Sequence, residues 1–322
     1  MNELKNPSQW LRRFRLDITS SSNRVYANGL QQVEITVTLE PRDGQTISPE
    51  SLDSLSLVQI DEEGDARILD HPDLYAHRER DTRFVYHAAS GTAPSALTER
   101  TANSIRRVFY VTSKRPGGTL SQLYATIWKD ENTYAITHVA PFVSSVVIES
   151  IAPPLVHDGL FRLDMQPAFR YKLPNFRSRW NDELEEIVGY FGFADPRSIL
   201  VESTAHFTPS GEPFYERHNH DTALISFELT NDYSQHCTVT AFGVGQAFEV
   251  TAPDSGEQFV ERLHHMTLHQ YFKRFYIAHH NSRSEARSAW SLLDQHGNAY
   301  HVEFLVSNSG RALKFHVSAH PA

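Results

Sequence analysis

The sequence predicts a mainly β protein of two domains. Short stretches of alternating β-branched residues occur through the first half of the chain. Thirteen Tyr and nineteen Phe also favour strands, because flat aromatic rings pack well on a pleated surface. Paired prolines then divide the chain near its middle. We therefore predict a β-sandwich over residues 1–150, followed over residues 151–322 by a β-rich α+β domain with about two helices.

Composition places the chain among globular proteins and sets one class of ligand aside. Its 322 residues are enough for two ordinary domains, and 40% hydrophobic with 21% charged residues is typical of a folded protein. The formal net charge is -9. Affinity for nucleic acids depends on neutralising phosphates with Lys and Arg, so we expect no general nucleic-acid partner.

Cysteine content and hydropathy bear on the compartment. Cys237 is the only cysteine, which excludes an intramolecular disulfide but does not settle the compartment. Residues 1–18 contain no apolar run of the kind found in signal peptides, and no apolar stretch has transmembrane length. We expect a cytoplasmic protein or one exported by a non-classical route, and the sequence predicts no oligomeric state.

The first domain opens with the clearest strand signal. Residues 33–39 alternate, with Val33, Ile35, Val37 and Leu39 on one face. Asn28-Gly29 precedes this strand and Asp43-Gly44 follows it, and both pairs tolerate the positive φ angles of turns. Further strands are predicted over residues 54–61 and 82–88.

The remainder of the first domain continues in short strands. Residues 106–113 and 121–130 form a predicted hairpin, with residues 115–118 as its turn. Residues 133–139 and 143–151 follow as strands. This gives roughly seven or eight strands and no convincing helix, the spacing of a β-sandwich. Pro153 and Pro154 make the best boundary.

The second domain is predicted to contain two helices. Leu184, Ile187, Val188 and Phe191 lie on the same helical face as Trp180, which indicates a helix over residues 180–191. The second helix begins at a capping-box pattern, Ser255 with Gln258, and extends to Tyr271.

The other predicted elements of the second domain are strands. Strands are expected over residues 223–230 and 237–244. The last three, residues 289–294, 299–306 and 312–319, are separated by turn residues and predict a C-terminal meander.

Residues 25–48 also carry a family resemblance. The pattern is Tyr26-Ala-Asn-Gly29, then Val33-x-Ile35-x-Val37, then Asp43-Gly44. It resembles the opening strands of bacterial immunoglobulin-like domains of the invasin and intimin type, with a shorter final turn. The resemblance covers about a tenth of the chain and implies an immunoglobulin-like sandwich acting as a rigid spacer. It implies no catalytic residues.

The sequence contains one candidate metal site. His218 and His220 on a strand point to the same side, and His236 or Glu228 can complete a ligand set for a transition metal. The spacing is similar to the His-x-His motif of cupin-type barrels, although neither the upstream Gly nor the downstream Glu lies at the usual distance. The alternative interpretation of residues 210–221 is a solvated polar loop.

A second candidate is a binding segment that interleaves cations with aromatic rings. Lys172, Arg177 and Arg179 alternate with Tyr171, Phe176 and Trp180. Such a mixture binds single strands, sugars or an acidic partner through charge and stacking. The alternative is a loop that leads into the predicted helix.

These observations favour a non-enzymatic bacterial interaction protein with a protein partner and no cofactor. The sequence has no nucleophile elbow, no His-Glu-x-x-His motif and no phosphate-binding loop. Two alternatives remain at this point. One is an exported effector or toxin without a standard signal peptide, and the other is a metal-dependent enzyme using His218 and His220.

Overall fold

A computed structural model of the chain confirms the mainly β prediction and divides the protein into two compact units. Unit 1 comprises residues 1–154 and 296–298, and unit 2 comprises residues 155–295 and 299–322. The structure describes residues 10–88, 103–165, 170–173, 183–206, 222–225, 227–229, 234–246, 248–252, 256–260, 262–275, 283–284, 288–306 and 313–319.

The described part of unit 1 contains eleven strands and one short helix. The helix, α1, spans Pro49–Ser54. The strands are β1 (Leu11–Ile18), β2 (Arg24–Tyr26), β3 (Val33–Pro41), β4 (Ser56–Ile60), β5 (Ala66–Ile68), β6 (Asp70–His71), β7 (Leu74–His77), β8 (Ile105–Ser113), β9 (Leu120–Asp130), β10 (Thr133–Ile136) and β11 (Val146–Ile151).

These strands form a β-sandwich. One sheet has the order β1-β3-β8-β7-β6, and the other has the order β2-β11-β9-β4-β5 with β10 paired to β9. A single hydrophobic core joins the two sheets, with Ile35 and Phe109 from the first and Leu123, Ile127 and Ile148 from the second. Burial of these apolar side chains is the main favourable contribution to folding of the unit.

Strand β3 confirms the clearest sequence prediction. Val33, Ile35, Val37 and Leu39 are all fully buried, as the alternation requires. Because β3 pairs with β1 on one side and β8 on the other, it lies inside its sheet and its register is fixed from both sides.

The predicted hairpin between residues 106–113 and 121–130 is wrong. Strands β8 and β9 exist, but they belong to different sheets, so residues 114–119 carry the chain from one sheet to the other. Gly117 makes this crossing possible, since a Cβ atom there would lie 2.5 Å from the backbone nitrogen of Ala152. Turn residues alone therefore could not distinguish a hairpin from a crossing between sheets.

Two other local predictions in unit 1 are also wrong. Residues 82–88 form no strand, because side chains rather than a ladder fix them: the Tyr86 hydroxyl donates to Glu34 Oε2 at 2.7 Å. The helix α1 was not predicted, although its signals are present. Ser48 Oγ accepts from the Ser51 backbone N–H at 3.1 Å, and Pro49 occupies the first turn.

The described part of unit 2 contains fourteen strands and a short 3-10 helix, Asp158–Leu160. The strands are β12 (Phe161–Asp164), β13 (Arg170–Leu173), β14 (Glu183–Phe193), β15 (Leu200–His206), β16 (Thr222–Ile225), β17 (Phe227–Leu229), β18 (Ser234–Phe242), β19 (Phe248–Ala252), β20 (Gly256–Val260), β21 (Met266–Phe275), β22 (Arg283–Ser284), β23 (Ser288–Asp294), β24 (Ala299–Val306) and β25 (Leu313–Ala319).

Two sheets share the core of unit 2. The larger has the order β12-β14-β21-β18-β17-β22, and the smaller has the order β15-β23-β24-β25. Phe191 of the first meets Phe304 of the second edge to face, with ring centroids 5.1 Å apart. Strands β23, β24 and β25 follow one another in the smaller sheet, which confirms the predicted C-terminal meander.

The first predicted helix, residues 180–191, is wrong where the structure describes it. Residues 183–193 form β14, which pairs with β12 and β13 on one side and with β21 on the other. Val188 and Phe191 are fully buried. These two residues are three positions apart and therefore lie on opposite faces of the strand, so β14 is buried on both faces there. The helical spacing is a local signal, and the partner strands on both sides decide the structure.

The second predicted helix, residues 255–271, is wrong for a similar reason. Residues 256–260 form β20, which pairs with β19, and β21 begins at Met266 between β14 and β18. A capping-box pattern is a local signal. Here the backbone N–H and C=O groups of β21 pair with β14 and β18, which are distant in sequence. A local pattern contains no information about such partners.

Within the described ranges, no helix combines the length and the apolar character that crossing a membrane requires.

Candidate functional site

The structure does not test the residues that the sequence singled out. His236 lies in β18 opposite Lys273, and Lys172 lies in β13 opposite Glu185, but the side chains of these four residues lie outside the described part of the molecule. The metal and binding hypotheses therefore stay predictions. Five further candidates lie outside the described residues: His218, His220, Phe176, Arg177 and Arg179.

The described part of unit 2 contains a cleft of about 390 Å³. Four short segments line it: the end of β12, the end of β14, the loop over residues 194–199, and the turn over residues 262–265 that leads into β21. We call this depression the 162–262 cleft. Its polar residues are Arg162, Asp164, Tyr190, Ser198, Arg262, His264 and His265.

The charge of the cleft comes from two arginines that share one carboxylate. Asp164 Oδ2 lies 3.2 Å from Arg162 Nη2 and 3.6 Å from Arg262 Nη1. One Asp against two Arg leaves one positive charge in excess. Both guanidinium groups are partly exposed, so each retains N–H donors for a ligand. The cleft is therefore suited to an anionic group.

The ring of Tyr190 packs against the guanidinium group of Arg262. The guanidinium carbon of Arg262 lies 5.3 Å from the centre of the Tyr190 ring, which is within range of a cation–π interaction. Burial raises the pKa of the Tyr190 hydroxyl, so the phenol stays protonated at neutral pH. Tyr190 thus orients one arginine and adds a neutral hydroxyl to the site.

Two histidines complete the turn over residues 262–265. His264 adopts a φ of 62°, a left-handed conformation that is uncommon for residues other than glycine. Its Nδ1 lies 3.2 Å from the carbonyl oxygen of Leu200, and His265 Nδ1 lies 2.9 Å from that of Leu263. Burial lowers the pKa of His265, with a smaller contribution from the nearby Arg262, which favours the neutral ring.

Apolar side chains form the other wall of the cleft. Phe193 and Ile199 are partly buried, whereas Leu263 is 67% exposed at the tip of the turn. Leu263 provides an apolar contact area, and the two arginines beside it provide positive charge. The arrangement fits a carboxylate that has an apolar side chain beside it.

Sequence reasoning missed this cleft. It placed Arg262 in the predicted helix over residues 255–271 and did not connect Arg162, Tyr190 and Arg262, which are distant in the sequence. No motif joins these three residues, and only the pairing of β14 with β12 and β21 brings them together. Among the side chains that the structure describes, no group of three or more His, Cys, Asp or Glu residues can hold a metal ion.

Comparisons with known proteins give no family. No family model matches the chain, and no curated protein matches it. Among solved structures, one titled "BspA_C_mut" is 8% identical over 95% of this chain and 98% of its own, with a TM-score of 0.21. The CupB6 tip adhesin from Pseudomonas aeruginosa is 8% identical over 88% of this chain and 94% of its own, with a TM-score of 0.17. TM-scores below 0.5 do not establish a common fold.

Proposed function

We propose that this protein is a non-enzymatic interaction protein of bacterial type, and that unit 2 binds a protein partner through the 162–262 cleft. In this proposal each unit is a separate domain, and unit 1 is an immunoglobulin-like spacer or docking module. The resemblance of residues 25–48 and the β-sandwich of unit 1 support that role for the first domain.

One observation supports the binding role most directly. Arg162 and Arg262 converge on a single carboxylate beside the exposed Leu263. Hydrogen bonds to charged groups contribute about 1.5–3 kcal/mol, and arginine is one of the residues that most often carry the binding energy of an interface. The partner group that fits is an Asp, a Glu or a C-terminal carboxylate adjacent to an apolar residue.

A peptide array tests the proposal and requires no identified partner. The array presents heptapeptides that vary systematically in acidic, basic and apolar positions, and the purified full chain is the probe. We expect the bound peptides to be enriched in a carboxylate next to an apolar residue. The double variant Arg162→Ala, Arg262→Ala should lose this enrichment.

Arg197→Ala is the matched control for this experiment. Arg197 lies in the loop that lines the cleft, but its side chain is 89% exposed and pairs with Asp195 outside the cleft. This variant should keep the wild-type pattern. An array on which the double variant and the wild type bind the same peptides would remove the cleft from the proposal.

A further inference from the structure

A second basic groove lies on unit 1, where β7 separates from β8. It has a volume of about 450 Å³ and lies beside the end of helix α1. We call it the 78–107 groove. Its lining residues are Leu52, Asp53, Arg78, Arg106, Arg107, Val108 and Tyr110.

The charge of this groove contrasts with that of the chain. Arg78 and Arg107 lie there with one carboxylate, Asp53, so these three groups carry one positive charge in excess, whereas the chain has a net charge of -9. Burial and the neighbouring Arg107 lower the pKa of Arg78, as expected where like charges are held close together. The groove therefore attracts anionic groups.

Arg78 is positioned before any ligand arrives. Its guanidinium carbon lies 4.3 Å from the centre of the Phe109 ring, and its Nη2 donates to the carbonyl oxygen of Leu55. Phe109 is buried, so the arginine lies on a fixed surface. A guanidinium held in this way loses little rotamer freedom when it binds a carboxylate, which favours affinity.

The backbone of β8 borders the same groove. Strand β3 pairs with β8 from Ile105 to Val111 on one side, but β7 pairs with it only from Tyr110 to Ser113 on the other. In the part of the chain that the structure describes, no strand pairs with residues 105–109 on the β7 side. This margin has the geometry at which an extended peptide can add to a sheet.

We propose that the 78–107 groove binds an extended acidic segment of a protein partner, which adds as a strand beside residues 105–109. Side chains of a strand alternate between its two faces, so carboxylates at every second position of the segment reach Arg78 and Arg107. This site lies on the other unit from the 162–262 cleft and does not depend on the function proposed for that cleft.

Three synthetic peptides test the two parts of this proposal. The probe is Thr-Glu-Thr-Glu-Thr-Glu-Thr with blocked ends and a fluorophore, titrated with the full chain and followed by anisotropy. The second peptide replaces every Glu with Gln, which removes the charge. The third replaces the Thr residues with Pro, which removes backbone donors and keeps the charge. We expect only the first peptide to bind, and its affinity to fall with added salt.

Variants of the protein locate the site. Arg107→Ala removes an exposed side chain and should weaken binding about tenfold or more, as expected for the loss of a charged hydrogen bond. Arg78→Lys keeps the charge but not the planar stacking and should also weaken binding. Arg42→Ala removes an exposed arginine elsewhere on unit 1, and this variant should bind like the wild type.

Each contrary outcome overturns a defined part of the proposal. Equal binding of the Glu and Gln peptides would exclude recognition of charge, and equal binding of the Pro peptide would exclude strand addition. Unchanged affinity in Arg107→Ala and Arg78→Lys would place the peptide elsewhere. If the double variant Arg162→Ala, Arg262→Ala alone lost binding, the peptide would belong to the cleft of unit 2 instead.

Discussion

Gly192 lies directly against the ring of His265: a Cβ atom on Gly192 would come within 2.5 Å of His265 Cδ2. Gly192 belongs to β14, and His265 ends the turn that leads into β21. Since β14 and β21 are neighbours in one sheet, this close approach sets how the turn is placed over the strand. The position of the 162–262 cleft thus depends on a residue without a side chain.

Substitution of this glycine should destabilise unit 2. Gly192→Ala introduces a methyl group where the His265 ring lies, and overpacking of this kind costs about 1–3 kcal/mol. The measurement is the free energy of unfolding from chemical denaturation. Gly159→Ala serves as the control because its nearest neighbour is the exposed side chain of His157, which can move. An equal, small effect in both variants would contradict the close approach.

The change in stability caused by Gly189→Ala should be opposite in sign for a strand and for the predicted helix. In a helix the substitution would stabilise the protein by about 1 kcal/mol, because Ala is the better helix former. In β14 the new Cβ atom would lie 2.3 Å from Met165 Sδ and 3.1 Å from the carbonyl oxygen of Asp164. We therefore expect a lower thermal midpoint than in the wild type, and an increase would favour the helix.

The pH dependence of stability should reflect His265. Its folded-state pKa is lowered by burial, so folding favours the neutral ring. The resulting stability is present above the ordinary pKa of about 6.5 and is lost as the pH falls through the lower, folded-state value. The groups that face His265 are Arg262, His264 and Asp164. Unfolding free energies measured from pH 4.5 to 7.5 should fall less steeply with acidification in His265→Gln.

Asp158 should stabilise the C-terminal strand. Its Oδ1 accepts from the backbone N–H of Val317 at 2.6 Å, which also lowers the pKa of the carboxyl group. Asp158→Ala leaves that N–H without this acceptor and should cost about 1 kcal/mol. Hydrogen exchange of the Val317 amide should be faster in the variant. The exposed turn residue Asp43 provides the control, Asp43→Ala, which should leave both measurements unchanged.

The sequence predicted what depends on local pattern. The buried face of β3, with Val33 to Leu39 alternating, follows from period alone, and so does the meander of β23 to β25. The apolar residues of 180–191 recur with a helical period, yet residues 183–193 form a strand because β12, β13 and β21 lie on either side of β14. That information is not contained in the segment itself.

The candidate site was beyond sequence reasoning for a related reason. The site forms only because β12, β14 and the turn before β21 bring together Arg162, Tyr190 and Arg262. No sequence motif surrounds any of these three residues. The resemblance of residues 25–48 concerned unit 1 and offered no information on unit 2. The turn residues 115–118 predict a hairpin over residues 106–130. The close approach of Gly117 to Ala152, which accompanies the crossing between sheets, becomes visible only in the fold.

A reversal of charge in the cleft is the most direct test of the central claim, that unit 2 recognises a carboxylate through Arg162 and Arg262. The measurement is fluorescence anisotropy of one acidic peptide selected from the array and of its Lys-substituted counterpart, each titrated with wild type, Arg162→Glu and the control Arg197→Glu. We predict that Arg162→Glu loses the acidic peptide and gains affinity for the basic one, whereas Arg197→Glu behaves as the wild type. Unchanged preference for the acidic peptide in Arg162→Glu would contradict the claim.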